Sequence, residues 1–385
     1  MSDPRDVVKH RDGLDPLPEL GRMTVDTPLV EADGNTWLAL GRETIRAVLG
    51  DTERFTSKPP AENEEASRRL TEAGNLLQYD PPEHTRLRRM LTPEFTAARA
   101  RSMEPLIEKI VRERLDLLER TGPPADLMRL VAWPVTGLIC CSLLDFPRDD
   151  LDEITRNIVV RANGTGAKQL AAGNAYHTYL GRLVARRRRQ PGGDDLLSRL
   201  IREHGPDVTD EELSGLCSAV LLAQLEGGAH MLGVGAMALL EHPDQLALLR
   251  TRPELMDQAV EELLRYVTIL PGVSPRTARE DVPLADRVIK AGDVVFCVLF
   301  AANRAQPPGA PRDDLDITRD STGHMAFGHG VHFCLGAPLA RVQTKVFLAA
   351  LLERFPGLRL AVPPDRLRFR LRSPQHGVEA LPVAW

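Results

Sequence analysis

Phe327-Gly328-His329-Gly330-Val331-His332-Phe333-Cys334-Leu335-Gly336 is the stretch on which the reading of this chain turns. A lone cysteine among glycines, just ahead of an amphipathic run over 337–355, presents one thiolate to a metal. The glycines let the backbone wrap closely around the sulfur and aim N–H groups at it. The helix that follows offers its positive end to the anion. An axial thiolate pushes electron density that favours O–O cleavage, so the chemistry points to haem iron held by Cys334. The plain alternative is a buried structural cysteine in a glycine loop.

Further out, 385 residues suffice for a sizeable core, and a net charge of −5 gives no case for nucleic acid as a partner. The first thirty residues are polar and broken by Pro4, Pro16, Pro18 and Pro28. They hold no apolar run suited to a signal peptide or a bilayer span, so a cytoplasmic protein without a membrane partner is expected. Cys140, Cys141, Cys217, Cys297 and Cys334 show no CxxC spacing, which argues against a disulfide framework and a zinc site. The adjacent pair Cys140-Cys141 reads as apolar filling.

Alternation over 27–32 and 36–40, on either side of Asp33-Gly34-Asn35, predicts a β-hairpin. From about Pro82 to Leu264 the period is mainly helical, clearest over 103–119, 149–162, 174–188 and 210–240. Residues 282–300 and 358–383 return to strand-like alternation. The pattern therefore predicts a mainly α body with a minor β region at both ends. The run Arg186-Arg187-Arg188-Arg189, followed by Gln190-Pro191-Gly192-Gly193, reads as a solvated helix end, where cations meet the negative dipole.

The cysteine window resembles the haem-binding signature of the cytochrome P450 family, and the resemblance extends over essentially the whole chain. It implies one triangular domain over 1–385 of the soluble actinobacterial type, with the haem-thiolate loop at 327–336 and the oxygen-activating helix at about 210–240. The implied cofactor is haem b, with Cys334 as axial ligand and Phe327 and Gly336 beside it. In Glu262-Leu263-Leu264-Arg265, an acid and a base three apart share a helix face and can pair. That spacing is weak alone, but its place ahead of the cysteine loop matches the family's ExxR motif, which makes Glu262 and Arg265 a structural pair. Haem carries two propionates that need cationic or hydrogen-bonding partners. His84 and Arg88, at i and i+4, face the same way and match the propionate-binding helix. Arg276 and His332 match a third and a fourth contact. Arg86 and Arg89 point elsewhere, to an acidic ferredoxin or simply to solvent.

One segment departs from the family. Through Leu221-Leu222-Ala223-Gln224-Leu225-Glu226-Gly227-Gly228-Ala229-His230, most relatives read Ala-Gly-x-Glu/Asp-Thr. The acid is present as Glu226, Gly227 stands in the place of the Thr, and Gln224 replaces the usual Gly. The missing hydroxyl normally positions a water and, with the acid, feeds protons to the reacting oxygen. A loss of about 1.4 kcal/mol in the productive barrier is about tenfold in rate. Each glycine also weakens a helix by about 1 kcal/mol relative to Ala and permits a bulge. Three functional readings stay open beside neutral drift. Substrate supplies a hydroxyl or amine and is hydroxylated or epoxidised; Gln224 or His230 holds the water; or the outcome is radical coupling, cyclisation or desaturation.

The resemblance further implies a roof loop from Phe55 to Tyr79, with Leu76, Leu77 and Gln78 nearest the haem. Ile269, Leu270 and Val273, the turn at 374–378, and Leu222 and Ala223 on the helix complete an apolar substrate pocket. Glu62, Glu64 and Glu65 in the roof face solvent or a cationic group. The stretch Asn163-Gly164-Thr165-Gly166-Ala167 is flexible by composition and falls where family members open. Leu315 stands where relatives carry an aromatic, which predicts local repacking.

The implied protein is an enzyme, a P450 monooxygenase or oxidase acting on a small, largely apolar natural product in secondary metabolism. It would use O2 and electrons from a separate ferredoxin and ferredoxin reductase. A degenerate P450-like partner that activates another enzyme is a different class, and an oxygen-independent haem enzyme a third. Cys334, His84, Arg88, Arg276 and His332 count against the partner reading, because such a protein has no use for a poised thiolate.

Overall fold

The alternation at 27–40 becomes a strand, Leu29–Asp33, antiparallel to Thr36–Ala39. This hairpin is the edge of a five-stranded sheet that reaches far along the chain. Thr36–Ala39 runs parallel to Val294–Cys297, which pairs with Arg276–Ala278, which in turn pairs with Phe55–Thr56. The sheet thus brings Arg276 beside the strand that leads to Ser57. The computed structural model describes residues 11–16, 27–58, 72–190, 192–304, 314–370 and 373–385. Glu62, Glu64 and Glu65, and most of the proline-broken N-terminal stretch, lie outside the described residues.

The rest is mainly helical. Residues 103–119 and 149–162 become Glu104–Thr121 and Leu151–Asn163. The helix predicted at 174–188 is longer, Gly166–Arg189, so the glycine-rich stretch after Asn163 shrinks to a short break. The predicted helix at 210–240 opens at Asp210 on a full capping box between Thr209 and Glu212. It runs to Leu222, widens to a π-helical turn over Ala223–Gly227, and continues as Gly228–Glu241. Every residue from Gly228 to Leu239 is buried, the mark of a helix enclosed on all sides.

Three expectations need correction. The alternation over 282–300 ends at Cys297, and Leu299–Arg304 is a helix whose six residues are all buried. A segment buried on every side has no polar face, so its periodicity reads ambiguously. Among the described residues of 358–383, only Arg359–Leu360 and the start of Pro382–Ala384 are strands, with one bridge between Phe369 and Val378. The arginine run is not simply solvated either. Arg187 is buried against Asp145 at 2.6 Å and Asp195 at 3.5 Å. Arg188 donates to Asp210 at 2.8 Å and to the carbonyls of Gly205 and Val208. Arg186 and Arg189 remain exposed. Leu315 is buried in the main core.

Candidate active site

The cysteine loop is fixed at both ends. Cys334 donates its N–H to the carbonyl of Phe327 at 2.9 Å, closing the loop on itself. Gly328 and Gly330 have φ of +72° and +71°, the left-handed region open to glycine at no steric cost. A Cβ on Gly330 would also stand 2.2 Å from the carbonyl oxygen of Leu49, so the loop docks directly on the helix Arg42–Gly50. Ala337–Arg354 follows, with Pro338 in its first turn. Burial pushes the Cys334 thiol up, against the N–H groups of Gly336 and Ala337 and the cations Arg88 and Arg341. A bound metal supplies the positive charge that such a thiol needs to ionise.

The four basic residues named from sequence do come together. His84 is 1% exposed on the helix Glu83–Leu91, and neither of its ring nitrogens has a hydrogen-bond partner among the described residues. Its ring lies 4.3 Å, centroid to centroid, from that of His332. His332 Nε2 is 3.0 Å from Ser57 Oγ, and Arg88 donates to the carbonyl of Phe333 at 2.6 Å. Arg276 is buried and donates to the carbonyl of Ser274 at 2.8 Å. Burial first, then the charge of Arg88, lowers His84 to about 4. Burial, with Arg276 and His84, lowers His332 to about 3. Four basic groups that repel one another, two of their ring nitrogens orphaned, make a site for anions. This cluster and the thiolate loop fit a dianionic haem. Asp80 lies near enough to offset part of that positive charge, and it accepts from Ser57 N–H and Arg279 at 2.8 Å each.

Glu262 and Arg265 pair through two bonds of 2.7 and 2.8 Å. Sequence reading missed the neighbouring clamp. Glu261 accepts from Arg341 at 2.9 Å and lies 3.3 Å from His324 Nε2. Arg341 in turn sits 4.8 Å over the ring of Phe327. His324 Nδ1 accepts from the N–H of Ala326 at 3.1 Å, which leaves the proton on the nitrogen facing Glu261. The clamp joins the helix Met256–Val267, the segment before the cysteine loop and the helix after it.

On the central helix the two glycines differ. Both have ordinary helical φ, −62° and −61°. A Cβ on Gly228 would meet Thr136 at 2.8 Å and Gln343 at 2.9 Å, so packing demands glycine there. A Cβ on Gly227 would find its nearest atoms in Gln375, with Oε1 at 3.5 Å. The π turn leaves the carbonyl of Leu225 within 3.1 Å of the Thr136 hydroxyl. Gln224 donates to Gln343 at 2.5 Å, so its amide is engaged with the helix after the cysteine, and the amide beside Gly227 is that of Gln375. His230 is fully buried, edge-on to Trp133, and 4.0 Å from Glu226. Glu226 accepts from Ser373 Oγ at 3.0 Å. Burial pushes its carboxyl up, opposed by Ser373, Arg370 and Arg161.

Of the pocket residues, Leu222, Ile269, Leu270 and Val273 are half-buried and Ala223 is exposed, one turn before Gly227. Leu76 is buried, Leu77 is 52% exposed, and Gln78 accepts from the N–H of Glu72 at 2.8 Å. Arg86 is bonded within the chain, to Glu212 and to the carbonyl of Asp207, whereas Arg89 is exposed. Among the described residues, no helix is long and apolar enough to cross a membrane.

A mainly helical body that presents one cysteine between a helix N-terminus and a basic cluster defines a haem-thiolate protein. Residues 35–164 and 247–366 match the family model for cytochrome P450. The chain belongs to the cytochrome P450 family, whose members bind haem iron through a cysteine thiolate. It is 42% identical to cytochrome P450 165B3 of Amycolatopsis orientalis, over 100% of this chain and 99% of that one. The structure of OxyE, a P450 involved in teicoplanin biosynthesis, superposes with a TM-score of 0.89 at 43% identity, covering 98% and 99% of the two chains. OxyC, implicated in an oxidative C–C coupling during vancomycin biosynthesis, gives 0.89 at 41% identity, covering 98% and 96%. The family-model match leaves out 165–246, the stretch that contains Gly227.

Proposed function

We propose that this P450 couples two electron-rich aromatic rings of a natural product, using O2 and electrons from a separate ferredoxin and ferredoxin reductase. Cys334 would hold the haem and His84, Arg88, Arg276 and His332 its propionates, and the haem would supply the oxidising centre. The observation that carries the reading is Gly227. No alcohol stands on the helix there, and a phenolic substrate brings O–H protons of its own to the reacting face. Glu226 then serves as the protein's acid, held by Ser373. Leu222, Ala223, Ile269, Leu270 and Val273 give the rings an apolar wall, with Leu76 and Leu77 toward the roof.

The balance closes. Each ring loses one hydrogen as the new bond forms, and O2 with two external electrons and two protons leaves as two waters. The likeness to proteins of glycopeptide antibiotic biosynthesis supports this reading. Retention of the thiolate, the basic cluster and Glu226 supports an active oxidase over a degenerate partner protein or an oxygen-independent haem enzyme.

The test is turnover of a peptide bearing two phenolic side chains, with product mass read directly. Loss of two hydrogens supports coupling. Gain of one oxygen overturns it in favour of hydroxylation. Before that, the carbon monoxide spectrum of the reduced protein checks the ligand: a strongly red-shifted Soret band supports Cys334 thiolate, and an unshifted band refutes it.

A further inference from the structure

The polar group nearest the place of the missing alcohol comes from another part of the chain. A Cβ on Gly227 would have three nearest atoms, all in Gln375: Oε1 at 3.5 Å, Nε2 at 3.8 Å and Cδ at 4.0 Å. Gln375 Oε1 is buried and has no hydrogen-bond partner among the described residues. A buried acceptor left unpaired by the described residues calls for a donor such as a water or a substrate hydroxyl.

The backbone beneath this amide is pinned. Gln375 donates its N–H to Ser373 Oγ at 3.1 Å, and that hydroxyl donates to Glu226 at 3.0 Å. His376 donates its N–H to the carbonyl of Ile269 at 2.6 Å, and Arg370 donates its own to the carbonyl of Gly377 at 2.8 Å. Gly377 passes so close to His230 that a Cβ would stand 2.0 Å from its Nδ1. The turn therefore rests on the central helix, and these contacts fix the backbone that carries the amide. Neither of the substitutes suggested by the sequence competes for the place: Gln224 is bonded to Gln343, and His230 lies beneath the turn.

We propose that Gln375 does the work of the absent helix alcohol: its amide holds a water or a substrate hydroxyl at the Gly227 face, and Ser373 links that group to Glu226. When Glu226 is protonated it donates to Ser373 Oγ. Ser373 passes its own proton to the held water or hydroxyl as that group gives one up toward the reacting face, and Glu226 regains a proton from bulk water. Gln375 holds and does not itself transfer. Ser373 carries the proton between Glu226 and the held group. The inference rests on the Gly227 face being the reacting face, and not on which product forms there.

The experiment compares Gln375→Leu, Gln375→Glu and Ser373→Ala with the parent, using intact holoenzyme and its redox partners. It reads hydrogen peroxide released per electron consumed, which any turnover substrate reports. Gln375→Leu is expected to raise that ratio about tenfold, the equivalent of 1.4 kcal/mol of barrier. Its haem content and reduced carbon monoxide band stay as in the parent, and Gln375→Glu recovers part of the coupling. Ser373→Ala leaves Gln375 in place and weakens the pH dependence of coupling. In haem-free protein, Gln375→Leu melts no lower than the parent, since the lost acceptor had no partner. An unchanged peroxide ratio in Gln375→Leu overturns the proposal. So does Gly227→Thr if it tightens coupling equally with and without Gln375.

Discussion

Gly228 lies where any side chain would press within 2.8 Å of Thr136, while its neighbour Gly227 is free to carry one. Gly227→Ala is therefore expected to fold and to gain about 1 kcal/mol of helix propensity. Gly228→Ala must displace Thr136 and Gln343, an overpacking cost of about 1–3 kcal/mol. Thermal melts of the two variants should move in opposite directions. Equal losses would mean that the helix does not pass Thr136 as described.

The ExxR pair leads to a second prediction. Glu262 is fully buried and, besides Arg265, accepts from the N–H of Asp316 at 2.9 Å and from the Ser321 hydroxyl. Arg265 also donates to the carbonyl of Asn303 at 2.8 Å. Removing the acid leaves a buried guanidinium uncompensated, at about 3–5 kcal/mol. Glu262→Ala should be recovered without haem, because the segment it ties leads into the cysteine loop. A soluble, haem-loaded variant would refute this.

What the sequence made legible follows from distance along the chain. The cysteine loop is local, so its spacing displayed its chemistry, whereas the Glu262–Arg265 spacing is weak alone and became legible through its place ahead of that loop. His84 and Arg88 were readable as one helix face, and the family's order added Arg276 and His332. The contacts that escaped are long-range: Ser57 with His332, Glu261 with His324 and Arg341, and Gln375 with Gly227. Each depends on which strand or turn the fold lays beside which helix, and no periodicity encodes that. The arginine run failed for a related reason. Successive residues on a helix turn by about 100°, so four identical side chains meet four different surroundings.

That difference can be measured within the run. Arg187 is buried between Asp145 and Asp195, and Asp195 also accepts from Ser198 N–H at 3.0 Å. Arg187→Ala should cost about 3 kcal/mol, since it strands the buried Asp195 carboxylate. Arg189→Ala, on the exposed side, should stay within about 0.5 kcal/mol. Denaturant midpoints of the two variants at equal slope decide it. Similar small effects in both would restore the solvated reading of the whole run.

The clamp at Glu261 makes the pH-dependent prediction. Burial alone would raise this carboxyl, but the hydrogen bonds from Arg341 and the His324 imidazole 3.3 Å away outweigh it and hold the group at about 2, against an ordinary value of 4.5. A carboxylate with a depressed folded-state pKa stabilises the fold fully above its unfolded value, and loses that contribution as pH falls through the folded one. Its share should therefore be intact above pH 4.5 and should fade toward pH 2. Glu261→Gln keeps the shape and removes the charge, which should cost about 2 kcal/mol near neutrality. The difference in melting temperature between parent and variant should narrow steadily below pH 4.5. Because Arg341 also covers Phe327, the variant should release haem faster to an acceptor protein at neutral pH. A pH-independent gap in melting temperature would show instead that Glu261 acts by packing, and that its charge holds neither His324 nor Arg341.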